Sequence, residues 1–220
     1  MALQLDDSPA FYGEFLGLYH KQMPQLIAEG RTPLTVADVM RRRLEVAGSN
    51  DPALRSAWLD NYFETSDAVV YHPTKRIKIV RDAQPLRAIQ PQSEIYRGAL
   101  SIDDALYCAL AGPEVAMDEI ISNTSLTKEQ VLASPVWMAL VGDDRSLLGA
   151  YTDLVFSDAK QRFGYTENMG VYLTLAPATP SARAWSIYRI GNKSDLCGHY
   201  DLNCGDSRLV CVASAATRTR

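Results

Sequence analysis

The chain has 220 residues, of which 47% are hydrophobic and 22% charged, and its net charge is −4. A chain of this length and composition can bury a hydrophobic core without disulfides or metals, which argues against intrinsic disorder. The net charge is slightly acidic, and basic and acidic residues are interspersed along the chain. The sequence therefore does not predict the basic surface of a nucleic-acid binder, and no nucleic-acid partner is expected.

The sequence predicts neither a secretory signal nor a membrane span. Residues 1–7 contain no basic region and no long apolar run. No segment approaches the roughly eighteen consecutive apolar residues that a spanning helix needs. We therefore expect a soluble protein of the cytoplasm with no membrane partner, in which the four cysteines are reduced thiols.

The first part of the chain shows helical patterns. Apolar residues recur at helical spacing over residues 9–29. Thr35 and Asp38 form a capping box that begins a second helix. Asp51, followed directly by proline, is typical of the start of a third helix. Together these patterns predict a helical region over residues 9–65.

The periodicity then changes to that of strands. Residues 68–71 and 76–80 read as two short strands joined by a turn, which predicts a hairpin over 67–81. A two-stranded ribbon is only marginally stable alone. We therefore expect this hairpin to pair with strands from elsewhere in the chain.

The remainder divides into a helical region and a strand region. Capping residues and apolar stripes predict helices over residues 101–158. Alternating apolar residues with intervening turns predict an antiparallel β-meander over about 170–213. The predicted fold is thus a single α+β domain over residues 1–220, with a helical N-terminal two-thirds. Its hairpin near 67–81 joins the C-terminal meander in one sheet.

The cysteine and histidine residues near the C-terminus are candidate ligands for a zinc ion. Cys197, His199, Cys204 and Cys211 supply suitable donor atoms, but these cysteines stand seven apart. Structural zinc sites favour ligand pairs two to four residues apart. The spacing therefore favours small core residues, and no metal is expected.

A thiol hydrolase is one catalytic alternative. Cys108, His199 and Asp201 follow the chain order that some cysteine hydrolases use. A nucleophilic cysteine is activated at the start of a helix, whereas Cys108 is predicted within an apolar helical run. The pattern thus favours a core thiol at position 108.

An NAD-dependent transferase is the other catalytic alternative. Ile95-Tyr96-Arg97-Gly98 and the segment 121–126 resemble the first two motifs of the arginine–serine–glutamate class of ADP-ribosyltransferases. The resemblance implies that Arg97 holds the phosphates of NAD and that Thr124 and Ser125 brace the nicotinamide ribose. The family's third motif, with its catalytic glutamate, is missing. In an active enzyme Asp206 would have to act as the acid in its place, and a degenerate protein with the same fold is the other form of this alternative.

Because each catalytic set lacks a necessary member, the leading hypothesis is a non-catalytic protein-binding or accessory module. Such a module needs no cofactor, whereas the transferase alternative requires NAD. Its partner would be another protein, contacted through aromatic anchors. Trp137, Trp185 and the eleven tyrosines are candidates for those anchors, although core packing is the simpler role for any single one. The oligomeric state stays open.

Overall fold

The structure, a computed structural model, describes Leu3, Leu5, residues 11–191 and residues 193–213. Residues 9 and 10 of the first predicted helix lie outside these described residues. The strands in chain order are β1 (Tyr12–Leu16), β2 (Arg31–Pro33), β3 (Phe63–His72), β4 (Arg76–Val80), β5 (Ile95–Tyr96), β6 (Ala99–Ser101), β7 (Glu114–Ala116), β8 (Leu126–Thr127), β9 (Glu167–Asn168), β10 (Val171–Tyr172), β11 (Ser181–Ile187), β12 (Leu196–Cys197) and β13 (Arg208–Ala213).

The helices lie between these strands, and a 3₁₀ turn covers Met117–Glu119. They are α1 (Tyr19–Ala28), α2 (Val36–Ala47), α3 (Pro52–Leu59), α4 (Gln84–Arg87), α5 (Asp104–Ala109), α6 (Lys128–Ala133), α7 (Pro135–Leu140) and α8 (Arg145–Phe163). None of the helices in the described part of the chain is long and apolar enough to cross a membrane.

One large mixed sheet organises the molecule. Within the described residues it contains eleven strands, while β8 and β9 pair separately. Strand β3 lies at its centre, antiparallel to β4 and β11 and parallel to β13. Strand β1 pairs antiparallel with β13, so the first and last described strands are neighbours. The sheet therefore joins segments from both ends of the sequence.

The central strand β3 separates two layers of hydrophobic core. Side chains alternate across a strand, so Val69 and Tyr71 face one layer and Ala68 and Val70 the other. The first layer holds the buried aromatic residues of α3, α7, α8 and β11. The second layer packs apolar residues of α1 and α4 against the sheet. Both faces of β3 are thus covered, which explains its nearly continuous burial.

The predicted fold is wrong in its main division. The first two-thirds are not a helical region, because β1 to β7 fall within residues 12–116 and belong to the large sheet. The predicted helix over 9–29 is instead strand β1 followed by α1. The apolar spacing in this segment resembles that of a helix turn, but β1 is extended and pairs with β13. Strands of two to five residues are too short to show a period of their own.

The C-terminal part is likewise not a simple antiparallel meander. Strand β12 lies between β11 and β10 and runs parallel to β10. Strand β13 crosses away from them to pair with β1, β2 and β3. The segment between β11 and β13 is mostly irregular, and its exposed and half-buried residues contribute to the candidate site.

Candidate binding surface

Four rings from three distant segments form an aromatic cluster, which we define as Tyr62, Tyr188, His199 and Tyr200. Tyr62 lies between α3 and β3, Tyr188 follows β11, and the other two follow β12. The Tyr62 ring stacks on Tyr188 and Tyr200, with centroids 5.8 and 6.5 Å apart. His199 stacks on Tyr200 at 5.3 Å. The three tyrosines are half-buried and His199 is exposed, so the cluster presents an aromatic surface to solvent.

A fully buried arginine, Arg43 of α2, supports one side of this cluster. Its guanidinium donates to the Tyr188 carbonyl at 2.6 Å and to the Asn61 carbonyl at 2.8 Å. It also donates to the Trp58 carbonyl and the Tyr151 hydroxyl. A buried charge is tolerated only when its donors are satisfied. Arg43 therefore holds the chain at both Tyr62 and Tyr188 from beneath.

Arg183 of β11 supports the other side. It donates to the carbonyls of His199 at 3.0 Å and Tyr200 at 2.9 Å. It also forms an ion pair with Asp201 at 2.6 Å and donates to the Arg97 carbonyl. The side chain is only 8% exposed, so these bonds lie away from bulk water. One guanidinium thus organises an irregular stretch that has no sheet ladder of its own.

Other scaffold groups continue the same pattern of support. The Tyr71 hydroxyl donates to the Gly198 carbonyl at 3.0 Å. The Asn168 amide donates to the Gly191 carbonyl at 2.6 Å, and its oxygen accepts from the Ser194 N–H. These contacts reach the main chain of residues 188–200 and do not use its outward side chains. The backbone conformation is consequently set by the scaffold.

Tyr62, Tyr188 and His199 of the aromatic cluster are neutral near pH 7. Burial, with a smaller contribution from Asp206, raises the pKa of Tyr62 to about 12. Burial also raises the pKa of Tyr188, while burial and the Arg183 charge lower the pKa of His199. The surface therefore offers neutral hydroxyl and imidazole groups, which donate and accept hydrogen bonds without a large desolvation cost.

Two shallow cavities flank Tyr188. One, of about 150 Å³, is lined in part by Tyr172, Cys197 and His199. The other, of about 280 Å³, is lined in part by Tyr62 and Arg189. Lys193 and Tyr188 contribute to both. The surface around Tyr188 therefore combines charged side chains, aromatic rings and two shallow depressions.

The residues of the transferase alternative do not line a common cavity. Arg97 lies at the tip of the β5–β6 hairpin and lines a cavity of about 450 Å³. Ser125 hydrogen-bonds with Tyr172 and lines a different cavity, and Thr124 precedes it as an exposed residue. Asp206 lies in the turn before β13, where its carbonyl accepts from the Tyr62 hydroxyl. The NAD-dependent reading stays a prediction.

The thiol hydrolase alternative needs Cys108 beside His199, whereas the structure places Cys197 beside His199. Cys108 is exposed on α5, so the expectation of a core thiol is wrong. Among the described residues no hydrogen bond joins it to His199, whose ring instead lies 3.1 Å from the Cys197 sulfur. Burial raises the pKa of Cys197 to about 12, which keeps it a thiol. No three cysteine, histidine or acidic side chains of the described residues are arranged to hold a metal.

The tryptophans proposed as anchors lie in the core. Trp137 and Trp185 are fully buried. No local pattern marks the aromatic cluster, because Tyr62 and Tyr188 are far apart in the chain. The available signal was compositional, namely eleven tyrosines against five phenylalanines. Tyrosine in excess of phenylalanine favours rings that keep one polar edge in water.

Comparison with known proteins identifies the fold. No family model matches the sequence, and no curated protein matches it. The chain is similar to a solved structure described as the accommodation of massive sequence variation in Nanoarchaeota by the C-type lectin fold. The TM-score is 0.68 at 16% identity, covering 95% of this chain and 100% of that chain. This likeness shows that the chain has the C-type lectin fold.

Proposed function

We propose that this protein is a non-catalytic protein-binding module and that the aromatic cluster is the centre of its binding surface. The observation that carries the proposal is the support of the cluster's main chain by Arg43 and Arg183. A surface that is ordered before binding loses less conformational entropy when a partner docks. Tyrosine rings add large contact area with only two rotatable angles each.

The composition of the surface supports a protein partner. Tyrosine and arginine are enriched among the residues that dominate binding energy at protein interfaces. Tyr188, Tyr200 and Arg189 bring these types together, and the adjacent Lys193 is exposed. Within the described residues neither Arg189 nor Lys193 forms a direct ion pair, although Asp195 and Asp60 lie near them, and both cations can contact acidic groups of a partner.

The fold comparison supports a surface whose side chains are replaceable. The similar nanoarchaeal protein is described as accommodating massive sequence variation through this fold. In the present chain, the scaffold bonds to residues 188–200 go mainly to carbonyl and amide groups. Outward side chains such as Arg189 and Tyr200 therefore have little part in setting the backbone, and different side chains there would give different partners.

We further propose that the protein works in the reducing environment of the cytoplasm. Its four cysteines are free, and Cys108 is exposed while Cys204 is partly exposed. Exposed free thiols oxidise readily outside reducing compartments.

The test compares the protein with a Tyr188→Ala/Tyr200→Ala variant and with Leu106→Ala, an exposed apolar control on α5. Proteins retained from the native cell extract are quantified for each, and each candidate partner is then purified and titrated by calorimetry. We expect a partner whose Kd weakens about a hundredfold or more in the double variant, because two interface anchors are removed. The control should bind as the wild type does. If every purified partner binds the double variant as tightly as the wild type, the proposal fails.

A further inference from the structure

The cavity that Arg97 lines lies outside the aromatic cluster, between the β5–β6 hairpin and the segment 174–181. Its volume is about 450 Å³, within the range of small-ligand pockets. The buried residues Ala99 and Arg183 contribute to its lining. Tyr96 and Leu175 contribute apolar area and are 58% and 88% exposed. We refer to this cavity as the Arg97 groove.

The charge of the Arg97 groove is positive. Of its two arginines, Arg183 is already neutralised by Asp201 and bonded to three carbonyl groups. Within the described residues the Arg97 guanidinium pairs with no carboxylate, and no acidic side chain lines the groove. Hydroxyl groups from Ser101, Thr174, Thr179 and Ser181 also line it. A guanidinium with nearby hydroxyl donors is a suitable arrangement for a phosphate or carboxylate group.

The turn at Arg97 has a backbone conformation that an arginine side chain does not favour. Arg97 and Gly98 form the two-residue loop of the hairpin, with φ values of 48° and 77°. Two-residue loops with positive φ at both positions favour asparagine or glycine at the first. A residue with a bulky side chain is strained there by about 1 kcal/mol or more. The turn would therefore be more stable without the arginine.

The ring of Tyr96 lies beside this charge. The Arg97 guanidinium carbon is 5.3 Å from the centroid of the ring. The hairpin tip is also anchored, since Leu202 donates to the Gly98 carbonyl at 2.8 Å and Arg183 donates to the Arg97 carbonyl. The charged group and the aromatic face are thus presented together on a fixed turn.

We propose that the Arg97 groove binds a small aromatic oxyanion, a phosphate or carboxylate group attached to a flat ring. The guanidinium of Arg97 and the groove hydroxyls bind the anionic group. The exposed faces of Tyr96 and Leu175 pack against the ring. A nucleoside monophosphate carries the same two groups, a phosphate and a flat base, joined through a ribose, so it is a useful probe alongside simpler aryl compounds.

The test titrates the full chain with phenyl phosphate, benzoate and adenosine monophosphate, and with inorganic phosphate and phenol as the separate halves of the ligand. The variants are Arg97→Gln and Tyr96→Ala. The matched control is Arg55→Gln, which removes an exposed arginine of α3 and changes the net charge equally. A further variant, Arg97→Asn, relieves the turn strain while removing the charge.

We expect at least one aryl anion to bind, with affinity reduced about tenfold or more in Arg97→Gln and unchanged in Arg55→Gln. Tyr96→Ala should weaken the aryl anions more than inorganic phosphate. Arg97→Asn should lose binding while its Tm is equal to or above that of the wild type, so loss cannot come from misfolding. The inference is overturned if no aryl anion binds, if Arg97→Gln binds as the wild type does, or if inorganic phosphate alone binds as tightly as phenyl phosphate.

The groove and the aromatic cluster can fail independently. The Tyr188→Ala/Tyr200→Ala variant leaves the side chains of Arg97 and Tyr96 in place, so its affinity for aryl anions should equal that of the wild type. Arg97→Gln should in turn leave the affinity for a protein partner unchanged.

Discussion

Glu64, in the central strand β3, carries a carboxyl group buried beneath the aromatic cluster. One of its oxygens accepts from the Ser207 hydroxyl, and the other has no hydrogen-bond partner among the described residues. Burial, with a smaller contribution from Asp206, raises its pKa from 4.5 to about 8, and the Ser207 hydrogen bond opposes the shift. A proton is therefore bound more tightly in the folded state than in the unfolded state. Its contribution to stability is complete below about pH 4.5 and is lost as the pH rises through about 8.

The wild type should lose stability between about pH 6 and pH 9 as Glu64 ionises. We predict that Glu64→Gln abolishes most of this pH-dependent loss, because glutamine stays neutral throughout that range. Urea unfolding at several pH values measures it, with Glu45→Gln, an exposed glutamate of α2, as the control. Asp67 is also buried, and its pKa of about 7 leaves a remaining slope at lower pH. An unchanged slope above pH 7 in Glu64→Gln would contradict the assignment.

Position 98 requires glycine, both for its backbone conformation and for the space around it. Its φ is 77°, and a Cβ added there would overlap the Asp201 carboxylate that pairs with Arg183. We predict that Gly98→Ala costs about 1–3 kcal/mol in unfolding free energy, through backbone strain and disruption of that ion pair. Gly205→Ala is the control, since nothing lies within 4 Å of a Cβ there. Equal effects of the two substitutions in urea unfolding would refute the explanation.

At the scale of elements, Arg43 links α2 to the turn after α3, to α8 and to the end of β11. Its four hydrogen bonds satisfy three carbonyl groups and one hydroxyl. We predict that Arg43→Met lowers the unfolding free energy by about 3–5 kcal/mol, because those acceptors would be left unpaired in the core. Arg41→Met, at an exposed position on the same helix, should cost less than about 1 kcal/mol. A loss below 1 kcal/mol in Arg43→Met would show that the bonds do not stabilise the surface.

The surface segment between β11 and β13 should tolerate replacement of its outward side chains. We predict that changing Arg189, Lys193, His199 and Tyr200 together to serine shifts Tm by less than about 5 °C, since the scaffold bonds go to the main chain. Arg183→Met should lower Tm by more than that, because it removes those bonds. Calorimetry of both variants tests the contrast. A larger loss in the fourfold serine variant would place the conformational control in the side chains.

At the scale of the whole molecule, the sheet ties distant segments together. Strand β13 pairs with β1, β2 and β3, and the three tryptophans lie in one core layer. We predict one cooperative unfolding transition in urea, with coincident midpoints for circular dichroism and tryptophan fluorescence. Two separate transitions would indicate independently folding parts.

Local bonding explains which elements the sequence predicts. Helix α2 begins at the Thr35 capping box, and α3 begins at Asp51, whose carboxylate accepts from two amides of the first turn. A hairpin of β3 and β4 is also present around the predicted turn. Each depends on residues close in the chain. Strand β1 depends on a distant partner, β13, and its sequence carries no distinguishing pattern.

The same distinction holds for the candidate sites. The sequence by itself determined the starts of α2 and α3, the turn between β3 and β4, and the presence of Tyr-Arg-Gly at positions 96–98. Only the tertiary structure decided that Tyr62 meets Tyr188 and Tyr200, that Arg183 holds the chain beneath them, and that the 174–181 segment faces Arg97. Hydrogen bonds three or four residues apart leave a local pattern. Contacts between residues far apart in the chain arise from packing around a shared core, and no local pattern records them.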